Sequence, residues 1–202
     1  MSTIPPAGAN EPKRERGRLR VAAIMDAGIE VFTEKGFDAA TMTEIAARSG
    51  TAIGSLYRFF PSKESLADAL LLQYTQYVTS RLAELEERIP GMPSAGVAEA
   101  LVDFMVALQS QRSFAIALIE GRGGHDTNRL QFRETMRSSM AKILRAALPG
   151  LTPAKSKTMG IVVLHALKAV ADASQETPAV RRVLVAEIRD LLRIYLASAD
   201  EA

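Results

Sequence analysis

The stretch from Thr41 to Lys63, TMTEIAARSGTAIGSLYRFFPSK, constrains the fold of this chain more than any other. Thr41 and Glu44 have the spacing of a capping box, in which each side chain satisfies a free backbone N–H at the start of a helix. Gly50 predicts the end of that helix, because glycine readily adopts the backbone conformation of a helix C-terminus. The helix is therefore short, and a turn follows it.

A second short helix is predicted over about residues 53 to 60. Ala46, Gly50 and Leu56 have the spacing of a helix-turn-helix. The small Ala46 lets the two helices approach closely, Gly50 makes the turn, and Leu56 fills the junction. In such a motif the second helix enters the DNA major groove. The same spacing also occurs in unrelated pairs of short helices, so the flanking residues decide between the two interpretations.

Those residues resemble the TetR (tetracycline-repressor) family of transcriptional regulators over about residues 18 to 70. The positions that carry the resemblance are Thr41, Ile45, Ala46, Gly50, Leu56, Tyr57, Phe60, Ser62, Lys63 and Glu64. Transferred position by position, the resemblance implies that double-stranded DNA is contacted by Arg18, Thr41, Met42, Thr43, Ala52, Ile53, Gly54, Ser55, Tyr57, Arg58, Phe59 and Lys63.

The chemistry of these side chains suggests different roles. Tyr57 and Lys63 are expected to hold phosphates, which fix the position of a protein on DNA and carry no base information. Ile53 could touch a thymine methyl group, and Ser55 could bond a base edge. Ile53 could instead pack inside the domain. The recognition helix contains no Asn or Gln, so DNA shape is expected to contribute to specificity.

Composition narrows the class of protein. The chain has 202 residues, of which 48% are apolar, and it has no cysteine. It is therefore expected to be globular, to lack disulfides and thiolate metal sites, and to be cytoplasmic. No apolar run is long enough to span a bilayer, so no membrane partner is expected. Basic residues concentrate at 11–20, as suits phosphate contact or a merely solubilising tail.

The whole chain is predicted to be all-α. We expect a disordered basic arm at residues 1–17, a three-helix helix-turn-helix head at 18–64, and a helical ligand-binding and dimerisation domain at 65–202. The predicted helices after the helix-turn-helix cover about 62–88, 95–111, 113–120, 127–148, 153–173 and 178–197. Their limits come from apolar periodicity and from glycine, proline and capping residues.

The last two helices are predicted to form a homodimer interface, because the apolar stripe of the last helix is too wide for one face of a small core. The resemblance implies a four-helix bundle formed by these helices and their copies. The interface residues would be Val180, Leu184, Ile188, Leu191, Leu192 and Tyr195. Packing within one chain is the alternative.

An apolar cavity for an unknown small-molecule effector is predicted in the helical domain. Its lining would be Phe104, Met105, Leu108, Phe114, Leu118, Phe132, Met136 and Met140. Methionine adapts to varied ligands, but a Met or Phe at helical spacing is more often ordinary core, and that is the favoured explanation for each residue taken singly. His125 could be solvated and His165 could be a hydrogen-bonded core group. No catalytic residue, metal site or cofactor is expected.

The leading functional hypothesis is a homodimeric repressor that a small, largely apolar ligand releases from a near-palindromic operator. A regulator of the same fold that activates, or that responds to a protein partner, is the alternative. An enzyme in the helical domain is a remote third, because no phosphate loop, nucleophile elbow or acid–base pair is present. The sequence identifies neither the operator nor the effector.

Overall fold

A computed structural model describes residues 11–121 and 127–200 of the chain. The described residues form eight α-helices and no strand, which confirms the all-α prediction. The helices are α1 (Glu11–Ala39), α2 (Met42–Arg48), α3 (Ile53–Phe59), α4 (Lys63–Arg88), α5 (Ser94–Gly121), α6 (Thr127–Ala147), α7 (Pro153–Asp172) and α8 (Pro178–Asp200). A short 3-10 turn, Ala173–Gln175, follows α7.

Two predicted boundaries differ from the structure. Helix α1 begins at Glu11 and so includes residues 11–17 of the expected disordered arm; residues 1–10 lie outside the described part. Pro12 does not prevent this early start, because proline is well tolerated in the first turn of a helix. Helix α5 is continuous where two helices were expected, because Gln111 and Arg112 are good helix formers and no Gly or Pro interrupts it there.

The chain divides into two compact units. The first comprises Met1–Leu72 and Phe114–Gly124, and the second comprises Gln73–Ser113 and His125–Ala202. Helices α4 and α5 each contribute residues to both units.

The core of the first unit is built from one apolar face of α1 and the inward faces of α2, α3 and α4. Its fully buried side chains include Ile24, Phe32, Ile45, Leu56 and Leu66. The helical course of α1 is interrupted at Gly36, whose φ is 75°. Phe37 then folds back so that its ring stacks on Phe32, with 5.8 Å between the centroids.

The core of the second unit is centred on α6 and α7. These helices approach closely at Gly160, where a Cβ would lie 3.4 Å from the backbone nitrogen of Ala141. Ser156 and Gly160 are buried, so these small residues allow close helix packing within the chain. No described helix is both long enough and apolar enough to cross a membrane.

Candidate nucleic-acid interface

The turn between α2 and α3 has the geometry of a helix-turn-helix. Gly50 has a φ of 62°, in the left-handed region that favours glycine. Its N–H donates to the Ala47 carbonyl at 3.2 Å, and the Thr51 N–H donates to the Ala46 carbonyl at 2.9 Å. This pair of bonds is a Schellman motif, which satisfies carbonyls at the end of α2. Ala46 and Leu56 are both buried at the junction, as predicted.

Helices α2 and α4 begin at hydroxyl caps. Thr41 Oγ1 accepts from the Glu44 N–H at 3.3 Å. The Glu44 carboxylate lies 2.7 Å from Lys35 Nζ, so it is engaged by α1. The expected reciprocal box occurs instead at α4: the Ser65 N–H donates to Ser62 Oγ, and the Ser62 N–H donates to Ser65 Oγ, both at 3.1 Å.

Most of the predicted DNA-contacting residues lie at the surface of the first unit. Arg18, Thr41, Thr43, Ala52, Ile53, Gly54, Tyr57 and Arg58 are exposed, and Ser55, Phe59 and Lys63 are half-buried. Met42 is the exception, because its side chain is buried beneath α2. Any contact of Met42 with DNA must therefore come from its backbone.

Helix α3 presents an outward face of mixed character. Ile53 is 42% exposed and Tyr57, one turn later, is 46% exposed. Leu56 and Phe60 occupy the inward side. The alternative in which Ile53 packs inside the domain is therefore wrong. The Arg58 guanidinium lies 5.2 Å from the centroid of the Phe59 ring, a cation–π contact that keeps the charge at the surface.

The Lys63 side chain is directed toward the end of α1. Its Nζ donates to the carbonyl oxygens of Phe37, Asp38 and Ala40 at 2.7, 3.1 and 3.0 Å. The same nitrogen lies 4.5 Å from the centroid of the Phe37 ring. The ammonium expected to hold a phosphate is therefore bonded to the protein's own backbone.

Arg48 was not singled out from the sequence, yet it fastens α2 to α1. Its guanidinium donates two bonds to the Glu34 carboxylate, at 2.6 and 2.8 Å, and lies 3.6 Å from Glu30. The hydrogen bond from Arg48 is the main reason why the pKa of Glu34 is below its ordinary value of 4.5. In the sequence, Arg48 and Glu34 show only opposite charges 14 residues apart, and this does not identify them as partners.

The eight residues predicted to line a ligand cavity do not fall in one compact unit. Phe114 and Leu118 belong to the first unit, and the other six belong to the second. Within the second unit, Leu108, Met136 and Met140 are buried, whereas Phe104, Met105 and Phe132 are half-buried. The Phe132 ring lies 6.0 Å from that of Tyr74.

The predicted dimer residues, all of which lie on α8, differ in their solvent exposure. Leu192 is fully buried in the core of its own chain, so its assignment to the interface is wrong. Ile188 and Tyr195 are half-buried. The exposed apolar residues form one stripe, here called the outer face of α8: Val180, Val183, Leu184, Leu191 and Ile194.

Ion pairs hold α8 to α5 within the second unit. Arg189 donates to the Asp103 carboxylate at 2.8 Å, and Arg193 donates to Glu99. The hydrogen bond that Arg193 donates to Glu99 is the main reason why the pKa of Arg193 is above its ordinary value. These contacts leave the outer face of α8 uncovered by the chain itself.

Of the two histidines, the structure describes His165. His165 is exposed, not part of the core, and its Nδ1 lies 2.7 Å from the Ile161 carbonyl oxygen of its own helix. His125 lies outside the described residues. In the described part of the chain, no group of three or more metal-binding side chains is clustered.

Comparison with known proteins agrees with this geometry. The family model described as bacterial regulatory proteins, tetR family, matches residues 24–70. The chain is 35% identical over 80 residues to the HTH-type transcriptional regulator YvdT of Bacillus subtilis, covering 40% of this chain and 39% of YvdT. It is 29% identical over 120 residues to the transcriptional repressor KstR2 of Rhodococcus jostii, covering 59% of this chain and 57% of KstR2.

Solved structures extend the likeness of fold to the second unit. A transcriptional regulator from Aquifex aeolicus superposes with a TM-score of 0.68 at 20% identity, covering 87% of this chain and 99% of that one. Bacillus subtilis FadR, in complex with stearoyl-CoA, superposes with a TM-score of 0.60 at 20% identity, covering 85% of this chain and 96% of FadR.

The sequence matches to YvdT and KstR2 span less than two thirds of those proteins. The proteins matched are transcriptional regulators rather than enzymes. Residues 24–70, which contain the helix-turn-helix, belong to the tetR family of bacterial regulatory proteins, and the described all-α fold is similar to that of solved transcriptional regulators.

Proposed function

We propose that this protein is a homodimeric, sequence-specific DNA-binding repressor whose operator affinity is lowered by a small, largely apolar ligand. The outward face of α3 carries the proposal: Ile53 and Tyr57 are exposed on a helix whose inward side is fully packed. An exposed apolar residue beside a phenol suits a major groove, where a thymine methyl and a phosphate oxygen lie close together.

The contacts divide into two classes. Tyr57, Arg18 and Thr41 are assigned to phosphates, since each offers a donor at the surface. Ile53, Gly54 and Ser55 are assigned to base edges, because they lie at the start of the recognition helix, the part that reaches base edges in this motif. Few polar groups face outward from α3, so local DNA shape supplies part of the specificity.

A single head reads only a short half-site, so useful specificity requires two heads on a near-palindrome. The outer face of α8 supports a homodimer, because a contiguous apolar stripe on a soluble protein marks an interaction surface. A two-fold dimer would pair this face with its own copy. The resemblance to the family suggests the same pair of helices, α7 and α8.

The ligand site is proposed in the second unit, among Phe104, Met105, Phe132 and Tyr74. Phe104, Met105 and Phe132 are half-buried, and the two rings of Phe132 and Tyr74 lie within 6.0 Å. The complex of FadR with stearoyl-CoA shows that a protein with a similar fold binds an acyl ligand. Helix α4 is shared by both units, which gives a continuous element through which ligand binding could alter the head.

Two linked titrations test this function. The protein should prefer its operator over a scrambled duplex by about 10³-fold or more. A ligand that releases DNA must bind more weakly to the operator complex by the same factor, about 5- to 150-fold for a coupling of 1–3 kcal/mol. We would measure ligand affinity by calorimetry with and without operator. Equal affinities would show that the ligand is no inducer, and equal binding to both duplexes would contradict sequence-specific regulation.

A further inference from the structure

The bonds of Lys63 differ from those of a phosphate ligand. Its ammonium has three N–H donors and no acceptor. Three backbone oxygens, those of Phe37, Asp38 and Ala40, lie within 3.1 Å of it. A phosphate oxygen could bond this ammonium only by displacing one of these carbonyls.

The three carbonyls lie at the C-terminal end of α1. Helix α1 is interrupted at Gly36 and ends at Ala39, and the oxygens bonded by Lys63 all follow this interruption. A cation is favourable at this end of a helix and unfavourable at the N-terminus, where Lys63 itself stands in α4. The backbone of Lys63 lies at the N-terminus of α4, where a cation is unfavourable. Its side chain places the ammonium at the C-terminal end of α1, where a cation is favourable.

The segment held by Lys63 leads directly into the helix-turn-helix. Residues 37–40 connect α1 to Thr41, the cap of α2, and the Schellman motif at Gly50 connects α2 to α3. Phe37 and Ala40 are buried, so this connection is packed as well as bonded. A shift of residues 37–40 would therefore move α2, and α3 with it, relative to α1.

We propose that Lys63 is a positioning residue for DNA recognition and not a phosphate ligand. It fixes residues 37–40, and through them the orientation of the recognition helix. The inference rests on the DNA-binding function proposed above and refines the role of one residue that the sequence assigned to phosphate.

Salt dependence distinguishes the two roles. A phosphate contact contributes about 0.9 to the slope of log K against log salt, whereas positioning changes affinity at every salt concentration. Lys63→Met should weaken operator binding about 10- to 100-fold, which is what one charged hydrogen bond contributes, with an unchanged slope. Arg18→Met is the matched control, because Arg18 is exposed on α1; it should lower the slope. A lower slope for Lys63→Met would overturn the proposal.

Lys63→Arg is a second test that distinguishes a positioning residue from a phosphate ligand. Arginine binds phosphate at least as well as lysine, but its planar fork cannot direct N–H groups at three carbonyls around one point. We therefore expect Lys63→Arg to keep the salt slope and still lose affinity. Full recovery of affinity would indicate a phosphate ligand. If both variants melt earlier but bind operator normally well below the melting temperature, Lys63 is merely stabilising and the proposal is wrong.

Nitrogen-15 NMR of the Lys63 ammonium observes the contact itself. Hydrogen-bond couplings from Nζ to the carbonyl carbons of residues 37, 38 and 40 should be present in the free protein and should persist on operator DNA. Loss of these couplings with a new coupling to phosphorus would overturn the assignment. The free-protein measurement needs no DNA, so a failure of the proposed function, seen as the absence of any preferred duplex, is distinguished from a failure of this inference.

Discussion

Truncation of Leu191 should weaken the dimer without unfolding the protomer. Leu191 is 57% exposed on the outer face of α8. A fully buried leucine contributes about 1.5–3 kcal/mol relative to an exposed one, so burial of the remaining surface corresponds to about 1–2 kcal/mol per protomer. A two-fold interface contains two copies, and Leu191→Ala should therefore raise the dimer dissociation constant about 30- to 700-fold.

Leu192 is the matched control, because it is adjacent in sequence and fully buried. Leu192→Ala should lower the free energy of unfolding by about 2–5 kcal/mol, as expected when a core side chain is removed. Sedimentation equilibrium gives the dissociation constant, and urea unfolding of each variant gives the stability. The interface assignment would be refuted if Leu191→Ala left the dissociation constant unchanged, or if the unmodified protein were monomeric at micromolar concentration.

Three further predictions concern the head. Tyr57→Phe should weaken cognate and random duplexes equally, because a phosphate contact carries no base information; a loss confined to the cognate duplex in fluorescence anisotropy would contradict this. Ile53→Ala should change which bases are preferred in a selection from random duplexes, and an unchanged base profile would exclude Ile53 from the groove. The bond from Arg48 holds the pKa of Glu34 below 4.5, so its stabilisation is present above that pH and is lost as the pH falls through the lower, folded-state pKa. In thermal melts from about pH 6 to pH 3, Glu34→Gln should therefore lose less stability than the unmodified chain; parallel losses would contradict the pairing.

The local signals in the sequence identified the helix-turn-helix well. Thr41 starts α2, Gly50 ends it with a positive φ, and Leu56 is buried at the junction. Each of these features depends on residues close together in the chain, where capping and turn chemistry determine the conformation. The exposure of Ile53 followed from the same reasoning, because the inward face of α3 was already occupied.

The partners of distant charges could not be predicted. Lys63 donates to carbonyls 23 to 26 residues earlier in the chain. Every residue has a backbone carbonyl, so the sequence does not indicate which of them accept such a bond. Periodicity likewise marked both Leu191 and Leu192 as apolar residues of α8, but it could not tell which one faces the chain's own core. That distinction depends on how α8 packs within the second unit, where Arg189 and Arg193 reach acidic residues of α5.

Selection of operator DNA from a random pool of duplexes tests the central claim most directly. A homodimer that reads DNA with two α3 helices should enrich an inverted repeat whose half-sites are about one helical turn apart. Native mass spectrometry of the enriched duplex should then show protomers bound in pairs. Enrichment of a single asymmetric site occupied by one protomer would contradict the dimeric account, and the absence of any enriched sequence would contradict sequence-specific DNA recognition itself.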